Sequence, residues 1–307
     1  MFIILNSRTD RLGSNITWYI MQLIYAHYNK YFIHCHGSPF YSSLFVKAII
    51  KYIDEYNYEL GEKLGDHDHL YTEFFIEESQ QDWPGNNMKV CLQLQCDMLT
   101  YFRKHIYSDL ANILSELTTE CSPVMSQLVS IPFNQTIAVH LRLDDVVNRA
   151  CYNGVYSSEY YRQRLNSGDV VIDLEDEREF FMRRGINIPG WGRDYNPYDC
   201  QAPIADSLIM HYINMAQKKY PNHEVIIVTS PSSNTKLPFK VIKSQDMDID
   251  LLILSKADVL ICSKSLFCFT SVYFNSATEI FLPMWGHIAG TGLTSKYDKT
   301  KNITYLY

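Results

Sequence analysis

The sequence lacks several patterns that mark common functional classes. Its eight cysteines include no C-x-x-C pair, which argues against a zinc ribbon or a thioredoxin-like redox site. It contains neither G-x-G-x-x-G nor G-x-x-x-x-G-K-[ST], so a dinucleotide fingerprint and a P-loop are not predicted. No apolar run reaches the length of a membrane span, and a formal net charge of −7 gives no general attraction for nucleic acid. An anionic ligand must therefore meet a local set of donors.

The composition is that of an ordinary folded protein. Apolar residues make up 47% and charged residues 20%, and 307 residues suffice for two domains or one large α/β domain. Several cysteines, Cys262 among them, lie in apolar runs, which favours buried thiols in a reducing compartment. The opening apolar segment is too short for a secretion signal and reads as a buried strand. We therefore expect a cytoplasmic location.

Short apolar runs alternate with helical periodicity along most of the chain. This alternation predicts an α/β fold with a parallel, doubly wound sheet. The break at Cys121-Ser122-Pro123 is expected to end the first helical block. The long polar stretch 142–200 is expected to form a functional loop or insertion. The predicted strands are 2–5, 31–35, 137–141, 224–228, 239–242, 259–262 and 279–282, and the predicted helices are 16–28, parts of 41–58 and 89–118, 203–219, 248–256 and 265–275.

The most informative segment is the strand 137–141, which runs into the pattern His140-x-Arg142-x-x-Asp145. Ligands of open α/β sheets bind at the carboxyl ends of the strands. An arginine fixed at such an end presents a planar fork of donors that suits a phosphate or a carboxylate. The alternative is a surface Arg142 paired with Asp144 or Asp145.

Two strand-to-helix switches favour the first interpretation. Gly13, Ser14 and Asn15 stand at the start of the first helix, where a tight turn and a capping side chain can receive an anion or a sugar hydroxyl. The second switch is Ser263-Lys264-Ser265, where backbone N–H groups and hydroxyls would meet a phosphate. Thr229 and Ser230 follow a neighbouring strand and are expected at the same sheet edge.

These motifs together resemble the fucosyltransferase-like superfamily of GT-B glycosyltransferases. The resemblance lies in Arg11-Leu12-Gly13, His140-x-Arg142-x-x-Asp145, Asp250-Leu251-Leu252 and Ser265-Leu266-Phe267, in the order of the family. It implies a GT-B-like α/β fold of two Rossmann-like halves that face each other across a cleft. We expect an acceptor-side domain over 1–130, a nucleotide-sugar-binding domain over 131–284, and a segment 285–307 that packs back on the N-terminal half.

The resemblance also implies roles for individual residues. Arg142 would hold the donor diphosphate, and Ser265 would bind the distal phosphate region with Phe267 packed behind it. The full set expected to bind the nucleotide sugar is Arg11, Gly13, Ser14, Asn15, His140, Arg142, Asp145, Arg193, Thr229, Ser230, Asp250, Ser263, Lys264, Ser265 and Phe267.

The activity implied is inverting transfer of fucose or xylose from GDP-fucose or UDP-xylose to a hydroxyl of a glycan acceptor. A compact member of this kind looks bacterial or viral, with a xylosyltransferase of viral capsid glycans as one candidate, acting in the host cytoplasm. The alternatives are a metal-dependent GT-A transferase, a sulfotransferase and a non-catalytic glycan-binding protein. No partner nucleic acid and no membrane span are expected.

Such a transfer needs a general base to deprotonate the acceptor hydroxyl. The polar cluster 65–69 offers the densest titratable groups of the N-terminal half, and we favour Asp68, then Asp66, then Asp10. Asp66-x-Asp68 and Asp246-x-Asp248-x-Asp250 could also suggest a hard cation. GT-A enzymes bind nucleotide in their N-terminal half, however, and here the phosphate-binding features lie in the C-terminal half. No metal is therefore expected.

Overall fold

The computed structural model describes residues 2–6, 11–36, 39–64, 73–74, 98–143, 204, 206–233, 235–275, 277–283 and 302–306. These residues divide into two compact units. The first contains the described residues between Met1 and Val129, and the second contains those from Ser130 onward. Each unit has its own parallel sheet, so the predicted α/β class is confirmed.

The sheet of the first unit has three strands in the order β2-β1-β3, all parallel. Apolar periodicity builds the helices around it; in α1 the residues Ile16, Ile20 and Leu23 are fully buried. Helix α1 ends at Lys30, whose φ of 57° is the left-handed conformation typical of a helix stop. The elements are β1 (Phe2–Asn6), α1 (Leu12–Asn29), β2 (Phe32–His36), α2 (Leu44–Leu64), β3 (Glu73–Phe74), α3 (Met98–His105), α4 (Tyr107–Glu120) and α5 (Ser122–Leu128).

The predicted break at Cys121-Ser122-Pro123 is wrong in one respect, because a further helix begins there. Pro123 lies in the first turn of α5, where proline removes no helical hydrogen bond and its fixed φ suits the helix. Cys121 closes α4 by donating its backbone N–H to the Thr118 carbonyl. The segment therefore ends α4 at Glu120 and begins α5 at Ser122.

The second unit contains a six-stranded sheet in the order β6-β5-β4-β7-β8-β9, with every pair parallel. From β4, two strands (β5 and β6) extend to one side and three (β7, β8 and β9) to the other. This is the order of the doubly wound dinucleotide-binding folds, and its topological switch point lies between β4 and β7. The elements are a 3₁₀ turn (Phe133–Gln135), β4 (Thr136–Leu141), α6 (Asp206–Lys219), β5 (Glu224–Thr229), β6 (Lys240–Ile242), α7 (Met247–Lys256), β7 (Val259–Ile261), α8 (Leu266–Phe274), β8 (Glu279–Pro283) and β9 (Asn302–Leu306).

The central strand β4 is buried along its whole length. Ile137, Val139 and Leu141 pack in one core cluster with Ile209 and Ile213 of α6. Because side chains alternate along a strand, Ala138 and His140 belong to the opposite face of the sheet. The burial of both faces explains why the sequence reads as a continuous apolar run that ends in charged residues.

The packing of residues 285–307 on the N-terminal half stays a prediction for this segment. Its described part, β9, pairs with β8 in the second sheet, with Glu279 opposite Asn302 and Pro283 opposite Leu306. The physical reason is that β9 satisfies the backbone groups along the outer side of β8, which would otherwise form an open edge. Residues 285–301 lie outside the described residues.

Among the helices that the structure describes, none combines the length and the apolar content needed to cross a bilayer.

Candidate functional site

The predicted site residues of the second unit lie at the carboxyl edge of its sheet. Arg142 directly follows β4, and Ser263 follows β7 after a single intervening residue. The register pairs Val139 with Ile261 in these two neighbouring parallel strands, so both segments leave the sheet at the same edge. This edge is the switch point, where the crossovers to either side separate and leave a crevice.

A short hydrogen bond joins the two strand ends. His140 Nδ1 lies 2.5 Å from Ser263 Oγ, and both side chains are buried. The ring of Phe267 lies against His140, with 5.6 Å between the ring centroids. Arg142 is only partly buried two residues beyond His140. The buried imidazole therefore fixes the end of β4 from which Arg142 extends.

Helix α8 begins with a side-chain cap at this edge. The Ser265 hydroxyl accepts a hydrogen bond from the Phe267 backbone N–H at 3.2 Å, and Ser265 N–H donates to the Ser263 carbonyl at 2.8 Å. The first turn contains no acidic residue. A helix start without acidic side chains, preceded by the buried Lys264, favours an anion. The predicted phosphate-binding role of residues 263–265 stays a prediction that this geometry supports.

Strand β5 reaches the same edge on the other side of β4. Thr229 is buried and its hydroxyl donates to the Leu141 carbonyl at 2.9 Å, which ties the ends of the two strands. The Ser230 hydroxyl forms a 2.7 Å hydrogen bond with that of Ser233. Thr229 therefore holds the ends of β4 and β5 together. Ser230 is the more exposed of the two residues.

Asp250 stands out as a buried acid in the first turn of α7. The residue is 7% exposed, and among the described residues its Oδ1 has no hydrogen-bond partner. Burial, and then the nearby charge of Asp246, raise the pKa of Asp250 to about 8. Because α7 follows β6, its first turn lies on the carboxyl side of the sheet, like that of α8. A buried oxygen without a partner at a ligand-binding edge indicates a place for a donor from a ligand.

The first acid of the Asp246-x-Asp248-x-Asp250 pattern caps the helix itself. Asp246 is the N-cap of α7 and accepts the backbone N–H of Asp248 at 2.9 Å. Within the part of the chain that the structure describes, no three His, Cys, Asp or Glu side chains are grouped so that they could hold a metal ion.

The predicted residues of the first unit lie together at the start of α1. Arg11 is exposed at the N-cap position and makes no side-chain cap. Asn15 is fully buried, and its amide donates to the Arg11 carbonyl at 3.1 Å. Gly13 and Ser14 are buried in the same turn. The Asn15 side chain thus fixes the first turn, while Arg11 remains accessible at the helix start.

Five predicted site residues lie outside the described residues: Asp10, Asp66, Asp68, Asp145 and Arg193.

The sequence did not single out Cys268, although the structure places it at the centre of the switch point. It lies three residues after the cap Ser265 and is fully buried; burial raises the pKa of its thiol, but the neighbouring Cys262 and His140 side chains lower it to about 5. A cysteine within an apolar helix reads as ordinary core. The sequence feature that could have singled out Cys268 is its position in the first turn of a capped helix at the predicted anion site.

No protein-family model matches this chain, and no curated protein matches it significantly. Among solved structures, the chain is similar to POFUT1 in complex with GDP-fucose, at 12% identity and a TM-score of 0.31, covering 60% of this chain and 46% of that one. It is similar to POFUT1 in complex with GDP, at 12% identity and a TM-score of 0.32, covering 83% of this chain and 67% of that one. The chain thus spans less than half the length of the first of these structures. Likeness at such scores establishes neither a family nor an activity.

Proposed function

We propose that this protein is a glycosyltransferase that uses a nucleoside-diphosphate sugar. The observation that carries the proposal is the convergence of Arg142 and the capped start of α8 at the switch point, joined by the 2.5 Å contact between His140 and Ser263. A crevice at this position, lined by a guanidinium and by a helix start, suits a diphosphate.

Arg142 and the turn 263–265 would each bind one phosphate of the diphosphate. The guanidinium offers two parallel N–H donors to one phosphate, and the α8 start offers its backbone N–H groups and a partial positive charge to the other. Lys264, in the same turn, adds a further cation. Both contacts strengthen as the leaving diphosphate gains negative charge, which is the condition for catalysis.

Asp250 supports a guanine nucleotide over a uracil nucleotide. The Watson–Crick edge of guanine presents two adjacent N–H donors, whereas that of uracil presents one. The buried Asp250 carboxyl has an acceptor oxygen without a partner among the described residues, and the two guanine N–H donors would favour its ionised form and so lower its raised pKa. The proposed donor is therefore a GDP-sugar such as GDP-fucose, with UDP-xylose as the second candidate.

The proposed reaction is transfer with inversion to a glycan hydroxyl. The acceptor oxygen forms a bond to the anomeric carbon while the bond from that carbon to the diphosphate oxygen breaks. The acceptor proton passes to a general base, for which Asp68, Asp66 and Asp10 remain the candidates, and the electron pair stays on the diphosphate held by Arg142. The described cysteines Cys35, Cys121, Cys262 and Cys268 are free thiols, which supports cytoplasm as the proposed site of action.

A donor-hydrolysis screen tests this function. The purified protein is incubated with GDP-, UDP- and other nucleotide sugars and with a sulfonucleotide, with and without EDTA, and the released nucleotide is measured by chromatography. Release of GDP or UDP from a sugar donor in both conditions supports the proposal. Release only with a divalent cation favours a GT-A transferase, release from the sulfonucleotide favours a sulfotransferase, and glycan binding without nucleotide binding favours a non-catalytic protein. The first of these results would overturn the metal-independent reaction and leave a nucleotide-sugar transferase, whereas each of the other two overturns the proposed function.

A further inference from the structure

Three helices of the first unit bring two imidazole rings together at a place that the proposed reaction does not use. His27 lies in the last turn of α1, Tyr56 lies in α2, and both Tyr101 and His105 lie in α3. Between ring centroids, Tyr101 is 4.5 Å from His105 and 5.9 Å from His27, and the two imidazoles are 6.2 Å apart. His105 is exposed and His27 is partly buried, so the pair lies at the surface.

One of the two imidazoles is held in a defined orientation. Nδ1 of His27 lies 3.0 Å from the Tyr101 hydroxyl oxygen, and the ring of Tyr56 packs against His27 with 5.3 Å between centroids. Metal-binding histidines in proteins use one ring nitrogen for the ion, and the other forms a hydrogen bond that fixes the ring. An ion on Nε2 of His27 matches this arrangement, because Nδ1 then carries the proton and donates it to the Tyr101 oxygen.

The spacing of the two imidazoles fits a shared ion. Metal–nitrogen distances of about 2.0–2.1 Å place the centres of two imidazoles on one ion roughly 5 to 6.4 Å apart, depending on the angle between the two bonds. The 6.2 Å between His27 and His105 lies within this range. His27 also lies in the last turn of an 18-residue helix, where the partial negative charge of the helix end favours a cation.

The ligand type determines which ion fits. Imidazole nitrogen suits Zn²⁺, Ni²⁺ and Cu²⁺, whereas Mg²⁺ and Ca²⁺ prefer oxygen ligands. Among the residues that the structure describes, no third His, Cys, Asp or Glu is grouped with the pair, so water fills the remaining coordination positions. Arg103 and Lys104 share the last turn of α3 with His105, and their positive charge opposes the ion. The expected affinity is therefore in the micromolar range.

We propose that His27 and His105 bind one divalent transition-metal ion that joins the end of α1 to the end of α3, and that the Tyr101 hydroxyl orients the His27 ring for it. The ion stabilises the first unit, because two histidines far apart in the sequence form a site only in the folded state. Helix α1 begins at the carboxyl edge of the first sheet, and His27 lies at its other end. The ion is therefore independent of the proposed transfer and of its expected activity in EDTA.

The first measurement locates the ion, since the chain contains ten histidines. Histidine ring signals are recorded by NMR at about pH 8, where an ordinary imidazole is neutral, during titration with paramagnetic Ni²⁺ and separately with Mg²⁺. The signals of the pair are assigned from His27→Gln and His105→Gln. We expect Ni²⁺ to broaden both signals before those of the other histidines, and Mg²⁺ to leave them unchanged. Broadening that begins at other histidines and spares either member of the pair overturns the proposal.

The second measurement is calorimetric titration with Ni²⁺ after thermal unfolding in EDTA has shown that each variant is folded. Replacing either histidine by Gln should weaken binding by more than roughly tenfold, and Tyr101→Phe should weaken it by roughly tenfold. The matched control is His211→Gln, which removes an exposed histidine of α6 whose ring lies 5.9 Å from that of Tyr212. This control should bind Ni²⁺ like the wild type.

His105→Gln decides the proposal even if His27→Gln does not fold, because His105 is exposed. Ni²⁺ should raise the Tm of the wild type and of His211→Gln but not that of His105→Gln. Equal Ni²⁺ affinity in the wild type and His105→Gln overturns the site. Equal affinity in the wild type and Tyr101→Phe overturns the orienting role of the Tyr101 hydroxyl.

Discussion

His140 Nδ1 and Ser263 Oγ lie 2.5 Å apart although the two residues are separated by 123 positions in the sequence. The contact joins the end of β4 to the turn before α8 across the switch point of the sheet. Arg142 follows His140 by two residues, so its backbone is held with respect to that turn. The candidate anion site is thus built on two strands that the topology places side by side, and its geometry depends on both.

Asp250→Asn should stabilise the protein and weaken nucleotide binding. The folded-state pKa of about 8 lies above the unfolded value of 3.8, so the folded state binds the proton more tightly. The wild type therefore loses stability as the pH rises between these two values, and the asparagine variant does not lose it. We expect Asp250→Asn to gain on the order of 1–3 kcal/mol over the wild type by pH 9, measured by urea unfolding from pH 5 to pH 9.

The matched control for Asp250 is Glu116→Gln, which removes an exposed carboxylate paired with Lys51 at 2.9 Å. An exposed pair contributes little, so the change in unfolding free energy should stay below about 1 kcal/mol at every pH. A pH-independent difference between Asp250→Asn and the wild type would contradict a buried, proton-binding Asp250. Unchanged affinity for GDP would contradict its role in binding the base.

Asp258→Asn should destabilise the second unit without affecting the site. Asp258 pairs with His223 at 2.7 Å and accepts the Thr278 hydroxyl, at the amino ends of the strands and away from the switch point. Burial raises the pKa of Asp258, but the hydrogen bonds from His223 and Thr278 outweigh it and hold the pKa below 3.8. The stabilisation is present above that value and is lost as the pH falls through the folded pKa. We expect a cost of about 1–3 kcal/mol at pH 7 in urea unfolding, shrinking in acid, with pyrophosphate affinity unchanged.

Transfer should continue when divalent cations are removed. The leaving diphosphate is neutralised in this account by Arg142, by the α8 start and, on the expectation from the sequence, by Arg193. Initial rates with the best donor should agree within about twofold with and without EDTA. Loss of activity in EDTA with recovery on adding manganese would instead assign a cation to the Asp-x-Asp patterns.

Neutralising the general base should abolish transfer and spare nucleotide binding, since the base contacts the acceptor and not the diphosphate. Asp68→Asn, Asp66→Asn and Asp10→Asn are compared for transfer rate and for GDP affinity. The first of these is expected to show the largest loss of rate at unchanged affinity. Full activity in both Asp66→Asn and Asp68→Asn would assign the base to Asp10.

Much of the second unit could be predicted from the sequence because its strands are short, buried and apolar on both faces. The segments 137–141, 224–228 and 259–262 each appear as strands with nearly the predicted bounds. The positions of Arg142 and Ser263 at strand ends followed from the same pattern. Strand order could not be read, because the pairing of β4 with both β5 and β7 depends on contacts distant in the sequence.

Other features depended on context that the sequence does not display. Asn302–Leu306 is a strand only because β8 offers an edge for it to pair with. Pro123 begins a helix because the chain turns directly into α5. Cys268 resembles other cysteines of apolar helices in the sequence, and only the fold shows that Cys262 and His140 lower the pKa of its thiol to about 5 against the effect of burial.

Calorimetric titration of GDP into the wild type, Arg142→Ala and Arg142→Lys tests whether a nucleoside diphosphate binds at the switch point between β4 and β7. Arg142→Ala removes a charge-assisted pair and should weaken binding by about 2–4 kcal/mol, with a matching loss in kcat/KM. Arg142→Lys should recover little, because an ammonium cannot present the same fork of donors. GDP affinity that is equal in the wild type and Arg142→Ala, or no binding of GDP or UDP to the wild type, would contradict a nucleoside-diphosphate site at this switch point.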